Sequence, residues 1–313
     1  MKNIYFTSCD RAGGIHRYTF EDGKLEFCEK IDLDRPMYTV ISDGKAYVLL
    51  RQISEETNFG GLLCFDVAAD GTLVNQSAAI PSNGVVPCHL CVEDGDVYAV
   101  NYLSGNVILF PDKTVTHSGK GTHPTRQDAP HTHFVAVSPD KKYLLCTDLG
   151  IDTVFVYDRK LGLVSSAKVP DGSGCRHLCF NGDIVYCVNE LSNDVSVFKF
   201  QNGQLSLLDT YAAIPEFTGR STAAAIRFYK GRLYVSHRGA DCISCFDIKG
   251  EKLELLWNAP CGGSSPRDFD IVDGYIICTN EGGNVSVLKI GKDGAALISN
   301  DIEMPDPLCV TVL

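Results

Sequence analysis

A pattern of short strands recurs along this chain, and that recurrence limits the possible folds more than any other feature. One clear copy is VYAVNYL at 97–103, an apolar strand that ends in a polar corner. Equivalent stretches are AYVLLRQ (46–52), YLLCTDLG (143–150), VYCVNEL (185–191), LYVSHRG (233–239) and YIICTNEG (275–282), with an N-terminal copy, NIYFTSC, at 3–9. Each is followed by a further strand, such as NVILF, TVFVY, DVSVFKF or CISCFDI. Several then carry a glycine turn and a weaker strand, as in EDGKLEF, QNGQLSLL and KGEKLELL. From Tyr47 to Tyr275, successive tyrosines of the repeat lie 41 to 51 residues apart. A period of roughly 40–50 residues with four short strands per unit marks a β-propeller. No segment of useful length shows helical periodicity. At the ends, PDPLCVTVL reads as a first strand without a second, and NIYFTS as a second strand without a first. Pairing them would remove two exposed sheet edges. The expectation is an all-β fold: a seven-bladed β-propeller closed by pairing of the N- and C-terminal strands, with residues 1–313 forming a single domain.

Composition narrows the function classes. Hydrophobic residues at 44% supply an ample core, and 21% charge is ordinary for a soluble chain. A net charge of −11 disfavours a nucleic-acid role, since phosphate backbones need a basic surface. It still allows a small anion held by a few local arginines. No apolar run approaches the roughly 18 residues of a membrane span. The N-terminus, MKNIYFTSCD, shows no apolar core or small-residue cleavage site of a secretory signal. Most of the 14 cysteines sit inside strand patterns such as HLCV, LLCT and IICT, which reads as reduced, buried thiols in a cytoplasmic protein. The expected partner is a small anionic molecule, with neither nucleic acid nor membrane. A closed ring completes its own core, so a monomer is the simplest state and a dimer stays open.

The candidate site follows from the meander at 128–157, DAPHTHFVAVSPDKKYLLCTDLGIDTVFVY. In an antiparallel meander the start of the first strand lies beside the end of the second. The PHTH loop and the DLG corner should therefore share one end of the sheet, and the same juxtaposition recurs in other repeats. Loops entering first strands carry Pro87-Cys88-His89, His131 and His133, Cys175-Arg176-His177 and Pro266-Arg267-Asp268. Corners after second strands carry Arg51, Asn101, Asp148, Asn189-Glu190, His237-Arg238 and Asn280-Glu281. Converging on one axial mouth, these groups would offer a proton acceptor, an anion anchor and a charge to orient both. Each also has an ordinary structural reading. A histidine at a strand entrance often bonds a neighbouring blade, arginines pair between blades, and Asp148 suits the holding of a turn. The segment 119–133 contains a loop that could lean over the mouth and bring Arg126 and Gln127 to substrate, but a solvated loop is the expected reading. The glycines of CGGSSP (261–266) precede no helix, so they form a loop between blades and no phosphate-binding motif.

The motifs PHTH…SPDKKYLLCTDLGIDTVFVY, GSGCRHLCF…VYCVNELSNDVSVF, AAAIRFYKGRLYVSHRGADCISCF and SPRDFDI resemble the seven-bladed lactonase family. That family includes the propeller-type 6-phosphogluconolactonases and the fungal carboxy-muconate lactonizing enzymes. The resemblance runs nearly the whole chain in motif order. It implies a catalytic set of a histidine, two arginines and a glutamate, which falls on His133, Arg176, Glu190 and Arg238. His131, His89, His177, His237 and Arg267 are the accompanying candidate substrate contacts. His237 stands where the common SNRG motif has asparagine. The implied activity is metal-independent hydrolysis of a sugar-acid lactone, first of all 6-phosphoglucono-1,5-lactone in the pentose phosphate pathway, with no cofactor. The competing readings are a muconate-type lactonizing or isomerising enzyme, a non-catalytic interaction platform, and a metal-dependent propeller using Glu190, Asn101, Asn189 or Glu281 as oxygen ligands.

Overall fold

The computed structural model describes all residues, Met1–Leu313, and is built from antiparallel sheets arranged as seven blades. From the first complete blade in sequence, the strands nearest the axis are Pro36–Ser42, Pro87–Glu93, Thr132–Val137, Cys175–Asn181, Thr222–Tyr229, Pro266–Val272 and Pro307–Val312. They define blades 1 to 7. Blade 7 is the composite one: its inner strand is the C-terminal Pro307–Val312, which pairs with the N-terminal Lys2–Ser8. The terminal strands thus close the ring, as the sequence pattern predicts.

The core lies between blades. Seven buried apolar clusters each join two neighbours; one sets Tyr186, Val188 and Val197 of blade 4 against Ile226, Leu233 and Val235 of blade 5. A second strand such as Tyr143–Asp148 is therefore covered on both faces, which explains why it reads YLLCTD with no polar alternation. Outer strands such as Lys24–Asp32 are largely exposed and alternate instead.

One irregularity recurs in every blade and positions the site. Where the inner strand begins, its ladder with the second strand slips by one residue. The unpaired extra residue is Met37, Cys88, His133, Arg176, Arg267 or Leu308, and in blade 5 the slip falls within Ala223–Ile226. Such a bulge re-aims a side chain that regular pleating would send elsewhere. Four inner strands open on proline, whose missing donor costs least at a strand start. Arg35, Val86 and Asp306, just before three of these prolines, have positive φ of 46°, 58° and 41°. For the β-branched Val86 that conformation is strained, by about 1–3 kcal/mol.

Candidate active site

A cavity of about 450 Å³ opens at the axial mouth. Its wall combines two rings of side chains. Met37, Cys88, His133, Arg267 and Leu308 come from the bulges, while Cys9, Arg51, Tyr102, Glu190, Arg238 and Glu281 come from corners after second strands. Arg35, Val86, Arg126 and Asp306 complete it. Five arginines thus face three carboxylates in a chain whose overall charge is −11.

Glu190 is the electrostatic centre. Its Oε2 accepts from Arg176 Nε at 2.9 Å and lies 3.0 Å from Arg238 Nη2, and its Oε1 accepts from Arg126 Nη2. Burial alone would raise this carboxyl, but Arg238, Arg176, His133 and Arg126 hold it well below the usual carboxylate range. A carboxylate so stabilised is a poor proton acceptor. It serves instead to aim three guanidinium groups.

Arg176 fills the recess beneath the cavity. Its Nη1 donates to the Ala224 carbonyl at 2.7 Å and to His177 Nε2 at 3.2 Å. Burial, with Arg238 and Arg267 nearby, pulls it down to about 9, so it stays charged at neutral pH. The alanines of the blade 5 bulge leave room for this contact, and Ala223 likewise offers its carbonyl to Arg238 Nη2 at 3.4 Å. Because arginine only donates, His177 must carry its proton on Nδ1, a buried atom with no partner.

His133 lines the cavity with its Nδ1 buried and unpaired. Burial, reinforced by Arg176 and Arg267 and opposed by Glu190, pushes its pKa well below the ordinary 6.5. The ring is therefore a neutral imidazole at physiological pH. Neither cysteine of the wall is a ready nucleophile: burial raises Cys9 to about 11 and Cys88 to about 12.

The structure brings together His133, Arg176, Glu190, Arg238 and Arg267, the last bonded to Glu281 Oε1 at 2.6 Å. The four other candidate contacts belong elsewhere. His89 sits one layer deeper, between Tyr38 and Phe134, and its Nδ1 accepts from Val135 N at 3.4 Å. His177 borders the deep recess and reaches the cavity through Arg176 and through His133, whose ring centroid lies 5.3 Å from its own. His131 stacks on Tyr102 with 4.5 Å between ring centroids, and so acts through that residue. His237 points away: strand neighbours face opposite sides, so with Arg238 at the mouth His237 meets Asn193 at 3.2 Å and Ser244 at 2.9 Å. Burial lowers it to about 3. Replacing His237 with asparagine should therefore change kcat/KM less than about threefold while lowering the melting temperature, since a lost buried hydrogen bond costs about 1–3 kcal/mol. Steady-state rates beside a thermal melt check this, and a hundredfold fall in rate would return His237 to the site.

One expectation needs correction. Arg126 is no solvated loop residue. Its loop is pinned by Gln127, whose amide bonds Leu149 O at 2.8 Å and Asp152 Oδ1 at 2.7 Å, and this holds Arg126 over the mouth against Glu190 and Tyr102. Gly150 permits the approach, since a Cβ there would fall 1.9 Å from the Ala129 carbonyl. The oxygen groups named for the competing metal reading are engaged separately. Glu190 faces three cations and Glu281 pairs with Arg267, while Asn101 and Asn189 donate through Nδ2 within their own corners and keep Oδ1 buried without a partner. Asp148 does hold its turn, accepting from Gly150 N at 3.0 Å and His131 N at 2.7 Å. Its other oxygen meets His117 Nδ1 at 2.6 Å, a buried contact the repeat did not foreshadow. Tyr102 was also missed, although it follows Asn101 as Glu190 follows Asn189, so alignment of the repeats carries that signal.

Fold and site together define a propeller whose axial mouth is an arginine-rich pocket. Comparison with known families agrees: the description "Lactonase, 7-bladed beta-propeller" matches residues 3–312, and the chain belongs to that family. It is 30% identical to an uncharacterized protein of Staphylococcus aureus, with 94% of each chain covered. Among solved structures it is similar to a Bacteroides fragilis protein provisionally named a 6-phosphogluconolactonase, at 23% identity, a TM-score of 0.90, and coverage of 100% of this chain and 98% of the other. The periplasmic gluconolactonase of Pseudomonas aeruginosa matches at 23% identity and a TM-score of 0.90, with 100% and 99% covered. At that identity the two structures speak to the fold alone.

Proposed function

We propose that this lactonase-family protein hydrolyses an anionic sugar-acid lactone, with 6-phosphoglucono-1,5-lactone as the substrate. The observation that carries this reading is the excess of arginine around a cavity that also presents a neutral histidine. A volume of about 450 Å³ suits a sugar-sized ligand. In the reaction, His133 accepts a proton from water as the water oxygen bonds to the lactone carbonyl carbon. Arg238, and Arg176 from below, donate to the oxyanion that forms. Collapse breaks the bond to the ring oxygen, which takes the proton back from the imidazolium and leaves as a hydroxyl. The single product is the ring-opened hydroxy acid, whose carboxylic acid end releases its proton to solvent. The names borne by the two solved neighbours favour a gluconate-type lactone over a muconate-type acid.

The test is the decay of freshly generated 6-phosphoglucono-1,5-lactone, followed by proton release in EDTA with the spontaneous rate subtracted. Acceleration proportional to protein concentration is the expected result. No acceleration with this lactone, alongside turnover of a muconate-type acid, would replace the proposal with the lactonizing reading.

A further inference from the structure

The five arginines of the cavity are not equivalent. Arg126 and Arg238 contact Glu190, Arg267 is bonded to Glu281, and Arg35 holds Asp34 through two contacts of 2.8 and 2.9 Å. Arg51 alone has no hydrogen bond or ion pair from its side chain, although it lines the same wall and is exposed to solvent. It occupies in blade 1 the corner position that Glu190 occupies in blade 4. In a ring of seven, blade 1 stands across the axis from blades 4 and 5. Arg51 therefore faces Arg176, Glu190 and Arg238 from the far side of the cavity. Arg35 belongs to the same blade, and Cys9 lies within the field of Arg51, Arg267, Asp306 and Arg35. Asp306 is the carboxylate of that wall, and it forms no ion pair with Arg51.

The two walls suit different ends of one ligand. Beside Glu190 three guanidinium groups are already turned onto one buried carboxylate, so a dianion placed there would meet that carboxylate. An uncharged lactone ring meets no such cost. On the Arg51 wall an unpaired guanidinium stands open to water, where a strongly hydrated dianion keeps part of its hydration and still gains a bidentate partner. We infer that Arg51, with Arg35 beside it, anchors a phosphate monoester at the end of the substrate remote from the lactone carbonyl. Arg51 thereby sets the preference for phosphorylated over unphosphorylated lactones. This rests on the lactonase reading above.

The test compares wild type, Arg51→Ala and Arg51→Lys on 6-phosphoglucono-1,5-lactone and glucono-1,5-lactone. Losing a hydrogen bond to a charged group is worth tenfold to about 10²-fold. The alanine variant should therefore lose on the order of 10²-fold in kcat/KM on the phosphorylated lactone, mostly through KM. Its loss on the unphosphorylated one should be a few-fold, with lysine recovering part of the difference. Equal losses on both lactones, or none on either, would overturn the anchor. Calorimetric binding of 6-phosphogluconate and gluconate separates this inference from its premise. If wild type hydrolyses neither lactone yet binds the phosphorylated acid more tightly, and Arg51→Ala abolishes that margin, the anchor stands and the lactonase reading falls. If wild type shows no preference between the two acids, the anchor falls whatever the rates show.

Discussion

Glu190→Gln is expected to destabilise the protein by about 3–5 kcal/mol at neutral pH, because it removes the one charge that three guanidinium groups share. Arg176 and Glu190 are both almost fully buried, so solvent screens little of the change. The amide would also turn donors toward groups that can only donate. The dependence on pH follows from linkage. Glu190 has a lower pKa folded than unfolded, so its contribution is complete above the unfolded value near 4.3 and is lost as pH falls toward the folded one. The gap between wild type and Glu190→Gln should therefore be full at pH 7 and narrow below about pH 4. Buried His89, His133, His177 and His237 have depressed values too, so both proteins should lose stability as pH drops below about 6.5. Urea melts at pH 7, 5 and 3.5 check this. A gap that stays constant across the series would mean that the carboxylate charge is not what holds the cluster.

The same cluster shows how much of the site could be read from sequence. Blades were legible because each second strand is apolar on both faces and each corner is polar, a contrast that survives in one sequence without any alignment. The corner positions Glu190 and Arg238 came with it, since residues at equivalent places in a ring must face the same axis. Side-chain direction at the inner strands was much harder. His133 and Arg267 reach the cavity and Arg176 its floor because each is the extra residue of a bulge, whereas His89 and His177, one position further along, drop to the layer below. A slip of one residue exchanges the two faces of a strand. Nothing in PCHL or GCRH marks where the slip falls, so adjacent histidines and arginines read alike. His237 and Arg238 are the same problem at a corner. Arg126 failed for another reason: its loop occurs once, between blades 2 and 3, and no repeat predicts its path.

Replacing His133 with alanine should lower kcat/KM on the lactone by ~10²–10⁴ with little loss of stability, the range expected when a general base is removed. The fold should tolerate the change because the ring makes no hydrogen bond through Nδ1 and borders an existing cavity. The pH profile of the wild type then separates a base from a packing residue. An unperturbed histidine would give an acid limb near 6.5. Here burial, with Arg176 and Arg267, pushes the limb well below that, since protonating His133 adds a further cation beside those two arginines. Activity corrected for spontaneous hydrolysis should thus stay flat from neutrality down through pH 6.5 and fall only at lower pH, and His133→Ala should lack that limb. Glu190 opposes the shift, so Glu190→Gln should move the limb to still lower pH even as it reduces the rate. A limb in His133→Ala at the wild-type position would assign the proton to another group. Glu281 would be the next to test, since it is the other carboxylate of the cavity held by arginine, 2.6 Å from Arg267 and 4.0 Å from Arg238.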